Sequence, residues 1–178
     1  MTAMATPSPT DNGLRELRKA LRARRRAVPE AERRRAARHL AWQVERAGWL
    51  SGRRRIGIFL TMAEEIDTTP LRARALARGC TLFVPRVTDY RRNRMQFLPL
   101  TGPMRRGNYG ILEPGAGVAR SLRRLDVVFM PLVGFDRHGN RIGMGKGYYD
   151  RALAFRRRQK CWKQPLLVGL AFECQRVD

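Results

Sequence analysis

Residues 125–132 (LDVVFMPL) are apolar apart from Asp126, and a glycine-rich run over residues 134–147 follows at once. A strand that is apolar on both faces cannot turn one of them to water, so it belongs inside a sheet covered on both sides. Shorter apolar runs recur at residues 56–60 (IGIFL), 81–84, 95–100 and 166–171 (LLVGLA). Helical patterns lie between and before them. Leu14, Leu17, Leu21 and Val28 fall near i, i+3, i+7 spacing, which gives a helix with one apolar stripe. Pro29 at a first helical position opens a second helix to about Ala47, with Ala36, Ala37, Leu40, Ala41 and Val44 facing inward. Thr68 or Thr69, followed by Pro70, caps a third helix to about Arg78, and Gly79 ends it. A helix from about Tyr148 to Arg157 follows the glycine run, while residues 102–117, rich in Gly and Pro, are expected to form a long loop. Continuous apolar strands alternating with helices predict a single three-layer α/β/α domain with a mostly parallel sheet over residues 14–178. Residues 1–13 lack the apolar centre of a signal peptide and are expected to be a flexible leader.

The chain has 178 residues, with 37 Lys+Arg against 15 Asp+Glu and a net charge of +22. Such a balance first suggests nucleic acid, because phosphate neutralisation supplies most non-specific affinity for it. The make-up of the charge weakens that reading. Only Lys19, Lys146, Lys160 and Lys163 are lysines, a ratio that reflects coding bias toward arginine. No RNP-type aromatic motif, zinc-finger spacing or KH loop accompanies the arginines, so a basic RNA-binding protein without catalysis is only the alternative reading. Cys80, Cys161 and Cys174 are odd in number and show no CxxC spacing, which argues against a disulfide framework and a structural zinc site. No apolar run approaches the ~18–20 residues of a membrane span. A cytoplasmic, reduced, monomeric protein without a membrane partner is expected.

Chemistry concentrates in residues 134–150 (GFDRHGNRIGMGKGYYD). In open α/β sheets, ligands bind beyond the carboxyl ends of strands, and this segment sits there. Gly143, Gly145 and Gly147 alternate, which lets backbone N–H groups turn toward an anion without Cβ interference. Arg141 and Lys146 add full positive charge, and the start of the next helix adds partial charge. Asp150 is spaced to hold a divalent cation that bridges phosphate oxygens. The P-loop pattern is absent, and Tyr148 stands where the third glycine of a dinucleotide fingerprint belongs. A nucleotide-triphosphate cradle is the expectation.

The same segment resembles the signature of the 5-formyltetrahydrofolate cyclo-ligase (methenyltetrahydrofolate synthetase) family, roughly G-FD-x-x-G-x-RLG-x-G-x-GYYD, with Ile142 in place of leucine. Other resemblances follow in the family's order. Leu17-Arg18 lies on the basic N-terminal helix, residues 55–68 (RIGIFLTMAEEIDT) resemble its strand and E-I-x-T turn, residues 110–114 (GILEP) its GIxEP loop, and residues 126–131 its D-x-x-x-x-P strand. The resemblance covers residues 14–178 and implies a Rossmann-like fold. It implies ATP- and Mg²⁺-dependent conversion of 5-formyltetrahydrofolate, with or without a polyglutamate tail, to 5,10-methenyltetrahydrofolate, with release of ADP and phosphate. In that reaction the formyl oxygen is phosphorylated and N10 closes the ring.

The family's pattern carries over to site residues. Arg18, Arg141, Ile142, Gly143, Met144, Gly145, Lys146, Gly147, Tyr148 and Tyr149 would bind ATP, with Arg141 and Lys146 acting on the transferring phosphate. Asp150 would bind Mg²⁺. Leu60, Glu65, Tyr109 and Met144 would contact the folate, with Glu65 accepting from the pterin N–H groups and Tyr109 stacking on the ring. The family's K-x-x-L-R helix has its lysine position occupied by Leu14 here, and the adjacent Arg15 is the candidate replacement. Family members usually continue into a further D-x-x-x-D-x-x-x-T segment, so the chain is expected to be one C-terminal segment short.

Overall fold

The computed structural model describes residues 9–62, 64–107, 110, 112–158 and 164–177, so Tyr109, Cys161 and Trp162 fall outside it. Its strands in chain order are β1 (Arg55–Gly57), β2 (Thr81–Asp89), β3 (Arg94–Pro99), β4 (Met104–Arg106), β5 (Leu112–Pro114), β6 (Val127–Pro131), β7 (Gly134–Phe135), β8 (Arg141–Ile142) and β9 (Leu166–Leu170). The helices are α1 (Pro9–Arg26), α2 (Glu30–Arg46), α3 (Thr69–Ala77), α4 (Tyr148–Ala152) and α5 (Phe155–Arg158). The main sheet has the order β3-β2-β1-β6-β9. β2, β1, β6 and β9 are parallel, and β3 folds back antiparallel on β2.

Alternation along the strands divides the interior into two layers. Ile56, Val127 and Phe129 face α2 and α3, where they pack with Ala41, Val44, Leu71 and Ala75. Val128 and Met130 face the other way, toward Phe97, Leu125, Leu153 and the partly buried Tyr149. Gly57 lies on this second side. A Cβ there would meet Leu125 Cδ1 and Phe97 Cε1 at 3.0 Å, so a glycine is what lets the central strand approach that layer. The resulting three-layer α/β/α arrangement, with its mostly parallel sheet, agrees with the reading of the sequence.

Several local expectations change. α1 starts at Pro9, inside the segment expected to be a leader. Pro29 is the N-cap of α2 and not its first helical residue, because its ψ of 149° is extended. The first strand ends at Gly57 rather than Leu60, although Ile58 N–H still donates to the Phe83 carbonyl at 2.8 Å. The expected long loop contains the β4–β5 hairpin, pinned where Gly115 N–H donates to the Pro103 carbonyl at 3.0 Å. The expected helix from Tyr148 to Arg157 is two short pieces. The chain tightens at Leu153, which is buried against the second layer, and Arg156 N–H reaches back three residues to its carbonyl.

Candidate active site

The parallel strands all end on one side of the sheet, and the expected site residues gather there. α1 crosses this end. Its arginines at 15, 18, 22 and 25 recur at helical spacing and so share one face. Arg18 Nε donates to the Gly143 carbonyl at 3.0 Å, which ties the helix to the glycine loop. Leu21 packs where a Cβ on Gly134 would meet it at 2.6 Å, so the start of the loop is pressed against α1.

The loop itself begins as a small hairpin. Asp136 accepts from the His138 and Asn140 backbone N–H groups at 2.9 and 2.8 Å, and from the Asn140 side chain at 2.7 Å. The Asn140 hydrogen bonds above all hold its carboxyl below the ordinary value. This fixes the β7–β8 pair, so Asp136 is structural and His138 is an exposed turn residue. The chain then passes Gly145 and Gly147 with φ of 100° and 69°, a region that favours glycine. Arg141 sits over this turn. Its guanidinium pairs with Asp150, lies 3.3 Å from a Cβ position on Gly143, and is 5.9 Å from the Tyr149 ring centroid. Lys146 and Met144 are exposed at the tip, and the Lys146 carbonyl accepts from Arg151. Because α4 has only five residues, its dipole is small and positive charge at the loop comes mainly from side chains.

Two adjacent glutamates after the first strand have opposite environments. Glu64 meets three arginines of α1, with Arg25 Nη2 at 3.1 Å, Arg22 Nε at 3.4 Å and Arg26 Nε at 3.5 Å. Burial opposes its charge, but the Arg25 hydrogen bond and the neighbouring guanidiniums outweigh that and hold its carboxyl below the ordinary value. Glu65 points away from this group. Burial pushes its carboxyl up, against the Met62 N–H bond at 3.0 Å and the pull of Arg25. A pair of titratable groups driven apart in this way has separate tasks. Glu64 anchors α1, whereas Glu65 accepts from the Met62 N–H and pairs with no guanidinium. Leu60 is half-buried beside it, packed on the first core layer.

Tyr149 closes the site from the α4 side. Its ring packs edge-on to Phe97 at 6.4 Å, and its Oη is buried. Burial, and then the Glu65 carboxylate, push the phenol well above its ordinary value, while Arg141 pulls the other way. Arg141, Ile142, Gly143, Met144, Gly145, Lys146, Gly147, Tyr148, Tyr149 and Asp150 form one continuous stretch, to which Arg18 of α1 is tied, and Glu65 acts electrostatically on Tyr149. Arg15 lies one turn before Arg18 and is exposed. Tyr109 lies outside the described residues.

Three residues escaped the reading of the sequence: Glu64, Arg25 and Gln175. Arg25 is 3% exposed inside an arginine-rich helix, so composition hides it among solvated neighbours. The available signal was its place seven residues after Arg18, on the same face. Gln175 is buried, and its side-chain amide donates to the Leu132 and Val133 carbonyls at 2.8 and 3.0 Å.

With this geometry in hand, comparison with known proteins gives a consistent answer. The sequence pattern of the 5-formyltetrahydrofolate cyclo-ligase family matches residues 10–178. The chain belongs to that family. It is 35% identical to the mouse 5-formyltetrahydrofolate cyclo-ligase over 174 residues, covering 90% of this chain and 83% of the mouse protein. It is also 35% identical to the Escherichia coli K12 5-formyltetrahydrofolate cyclo-ligase over 127 residues, covering 69% of this chain and 68% of that protein. The solved structure of Aquifex aeolicus 5,10-methenyltetrahydrofolate synthetase superposes with a TM-score of 0.75 at 29% identity, over 92% of this chain and 79% of that one. Membership makes this an enzyme, a ligase of folate one-carbon chemistry, and the family resemblance holds along the whole domain. Among the described residues, no helix is long and apolar enough to cross a membrane.

The Glu64 anchor has a stated cost of removal. Glu64→Gln leaves the buried Arg25 without its carboxylate, which is expected to lower stability by about 1–3 kcal/mol at pH 7. Because the folded carboxyl titrates below the ordinary 4.5, its contribution is present above that value and is lost as pH falls through the folded one. Urea unfolding should therefore separate variant and parent at pH 7 and bring them together in acid. Equal midpoints at pH 7 would remove Glu64 from the anchoring role.

Proposed function

We propose that the chain converts 5-formyltetrahydrofolate to 5,10-methenyltetrahydrofolate at the expense of ATP, with the glycine loop holding the triphosphate and Glu65 holding the pterin. The observation that carries this reading is the Arg18–Gly143 tie, which brings α1 over a loop already holding Arg141 and Lys146. Three cations then belong to or adjoin one loop in which Gly145 and Gly147 have positive φ. Family membership supplies the substrate class.

The chemical difficulty is an unreactive formamide. Transfer of the γ-phosphoryl group to the formyl oxygen turns that oxygen into a leaving group, after which N10 closes the five-membered ring. Protein side chains need form no covalent bond. Their work is to hold the γ-phosphate in line with the formyl oxygen and to neutralise charge on it. Arg141 and Lys146 serve the transferring phosphate, with Arg18, the exposed Arg15 and the loop amides from Ile142 to Tyr149 serving the remaining phosphates. Glu65 accepts from the pterin N–H groups, while Leu60, Tyr109 and Met144 give the ring apolar and stacking contact.

Asp150 is 57% exposed and offers a single carboxylate beside this cradle. Mg²⁺ is commonly held by one or two carboxylates together with phosphate oxygens and waters, so the residue fits the ion. An all-protein cage is not present, since no group of three or more His, Cys, Asp or Glu side chains suited to a metal occurs among the described residues. When bound, Mg²⁺ would neutralise charge on the phosphate oxygens. Arg141, whose guanidinium pairs with Asp150, would then stand beside the same phosphate oxygens. The free thiols of Cys80 and Cys174 suit a cytosolic setting, and the substrates named here are a folate, with or without a polyglutamate tail, and ATP.

An absorbance assay for the methenyl product, with 5-formyltetrahydrofolate, ATP and Mg²⁺, tests the reading. Product formation should depend on ATP, and Arg141→Ala or Lys146→Ala should each cut kcat by roughly 10²–10³-fold, the range seen when one charge-stabilising donor is lost. A folded sample that makes no product, or near-parental turnover in both variants, would contradict it.

The pH dependence of folate recognition gives a second check. Glu65 accepts pterin N–H bonds on both oxygens, with charge assistance, only when ionised, and its folded carboxyl lies above the ordinary 4.5. The KM for folate should therefore climb on acidification at a pH where an ordinary glutamate is still ionised. Glu65→Gln should raise that KM roughly 10- to 100-fold at pH 7, the range for a lost hydrogen bond to a charged group, and flatten the acid limb. An unchanged acid limb in the variant would assign the titration to another group.

A further inference from the structure

A cleft of about 310 Å³ opens on the second-layer side of the sheet, between β3 and the α4–α5 pair. That volume lies within the roughly 300–1,000 Å³ of small-molecule sites. Met95, Phe97 and Phe155 give it an apolar lining, and three arginines from separate elements also line it. Arg120 is held beside β3 by its N–H, which donates to the Phe97 carbonyl at 2.7 Å. Arg123 lies in the 3₁₀ turn Leu122–Arg124, pinned by the buried Leu122, and Arg151 belongs to α4. Elsewhere in the molecule arginines gather on carboxylates, as at Glu64, Glu45 and Asp126. Among the described residues no carboxylate forms an ion pair with Arg120, Arg123 or Arg151, and Asp150, next to Arg151, pairs with Arg141. Two of the three rest on rings instead. Arg123 Cζ is 5.0 Å from the Phe155 centroid, and Arg120 Cζ is 5.7 Å from that of Phe83. Such contact uses the face of a guanidinium and leaves the N–H donors in its plane free. The third, Arg151, donates Nη1 to the Lys146 carbonyl, and the same atom lies 2.8 Å from a Cβ position on Gly147. One wall of the cleft is therefore a residue that holds the glycine loop.

We propose that this cleft is a second ligand site, for a small phosphorylated ring compound, and that its ligand acts on the glycine loop through Arg151. A phosphate monoester brings close to two negative charges and three acceptor oxygens, which suits three guanidinium forks. A planar apolar ring suits the Met95 and Phe155 side of the cleft. Drawing Arg151 to the ligand withdraws a donor from the Lys146 carbonyl and frees that corner of the loop. The cleft ligand therefore opposes nucleotide binding at the loop. By linkage, nucleotide at the loop weakens the cleft ligand by the same factor. The coupling rests on the functional reading above, whereas binding in the cleft does not.

Phenyl phosphate is the probe. Calorimetric titration of the parent should show saturable binding at roughly millimolar concentration or below. Inorganic phosphate should bind about fivefold more weakly or worse, because it buries no ring. Arg120→Ala and Arg123→Ala, both at exposed positions, should each weaken phenyl phosphate about tenfold, the loss of one charged donor, while Arg141→Ala keeps the parental affinity. Should one of the two cleft variants not fold, the other makes the same comparison. In the parent, saturating phenyl phosphate should lower the affinity for a non-hydrolysable ATP analogue about fivefold and no further, and in Arg123→Ala the same concentration should lower it less than about twofold. No saturable binding, or equal affinity for phenyl and inorganic phosphate, overturns the proposal. So does loss of the probe in Arg141→Ala with retention in Arg123→Ala, or competition with the ATP analogue that never levels off, since either puts the probe in the glycine loop. Displacement of the probe by 5-formyltetrahydrofolate also overturns it, because the cleft would then belong to the substrate site. A parent that binds phenyl phosphate at these arginines and binds no ATP analogue contradicts the functional reading alone and leaves the site standing.

Discussion

The carbonyl groups of Leu132 and Val133, just beyond the end of β6, point out of the sheet ladder and must find donors in a buried setting. The architecture of the site follows from how they do so. Gln175 donates to both, and its own Oε1 accepts from the Phe172 N–H at 3.0 Å, which folds the C-terminal turn against the strand end. Arg25 adds a longer contact to Leu132 at 3.4 Å and carries its charge to Glu64. Arg33, at the start of α2, donates to the Arg25 carbonyl and to the Glu64 carbonyl, so the end of α1, the start of α2 and the loop after the first strand are fastened at one point. With α1 fixed there, Arg18 arrives over Gly143 seven residues earlier on the same face. The glycine loop is thus oriented by a network whose centre is structural.

The basic charge looks different in this light. A net charge of +22 invites a reading as a polyanion-binding surface. Part of it is paired locally: Glu64 takes three arginines beside the glycine loop, while at the opposite end of the sheet Glu45 pairs with Arg74 and Arg78 and Asp126 is held by Arg55. In each of these the guanidiniums hold the carboxyl below its ordinary value against the opposing effect of burial. The cations left to face the glycine loop are few, and they belong to α1 and to the loop itself.

Much of the fold was legible because its signals are local. The apolar run of β6, the Pro70 start and Gly79 end of α3, and the strand at β3 all follow from composition and spacing, and the structure has them close to the expected residues, whereas the antiparallel pairing of β3 on β2 was not legible. The glycine loop was legible for the same reason, since alternating glycines beside Arg141 and Lys146 are a contiguous pattern. What the sequence hid depends on contacts between distant segments. The β4–β5 hairpin forms within a Gly- and Pro-rich stretch that shows no strand period, and it is stabilised by buried Glu113, which accepts from the Val87 N–H at 3.3 Å. Arg25 and Gln175 are polar residues whose burial only the packing of α1 against the strand end reveals. The opposite pKa directions of Glu64 and Glu65 likewise depend on packing, since the guanidiniums of α1 outweigh burial at Glu64 while burial dominates at Glu65.

The backbone of residues 143–149 is the proposed phosphate cradle. Amide hydrogen exchange measured with and without a non-hydrolysable ATP analogue and Mg²⁺ tests it directly. Exchange over residues 143–149 should slow by at least about tenfold, as loop N–H groups exposed to water become donors to phosphate, while residues 53–55 at the far end of the sheet keep their rates. Unchanged exchange in the loop at saturating analogue, or protection confined to the opposite end of the sheet, would contradict it.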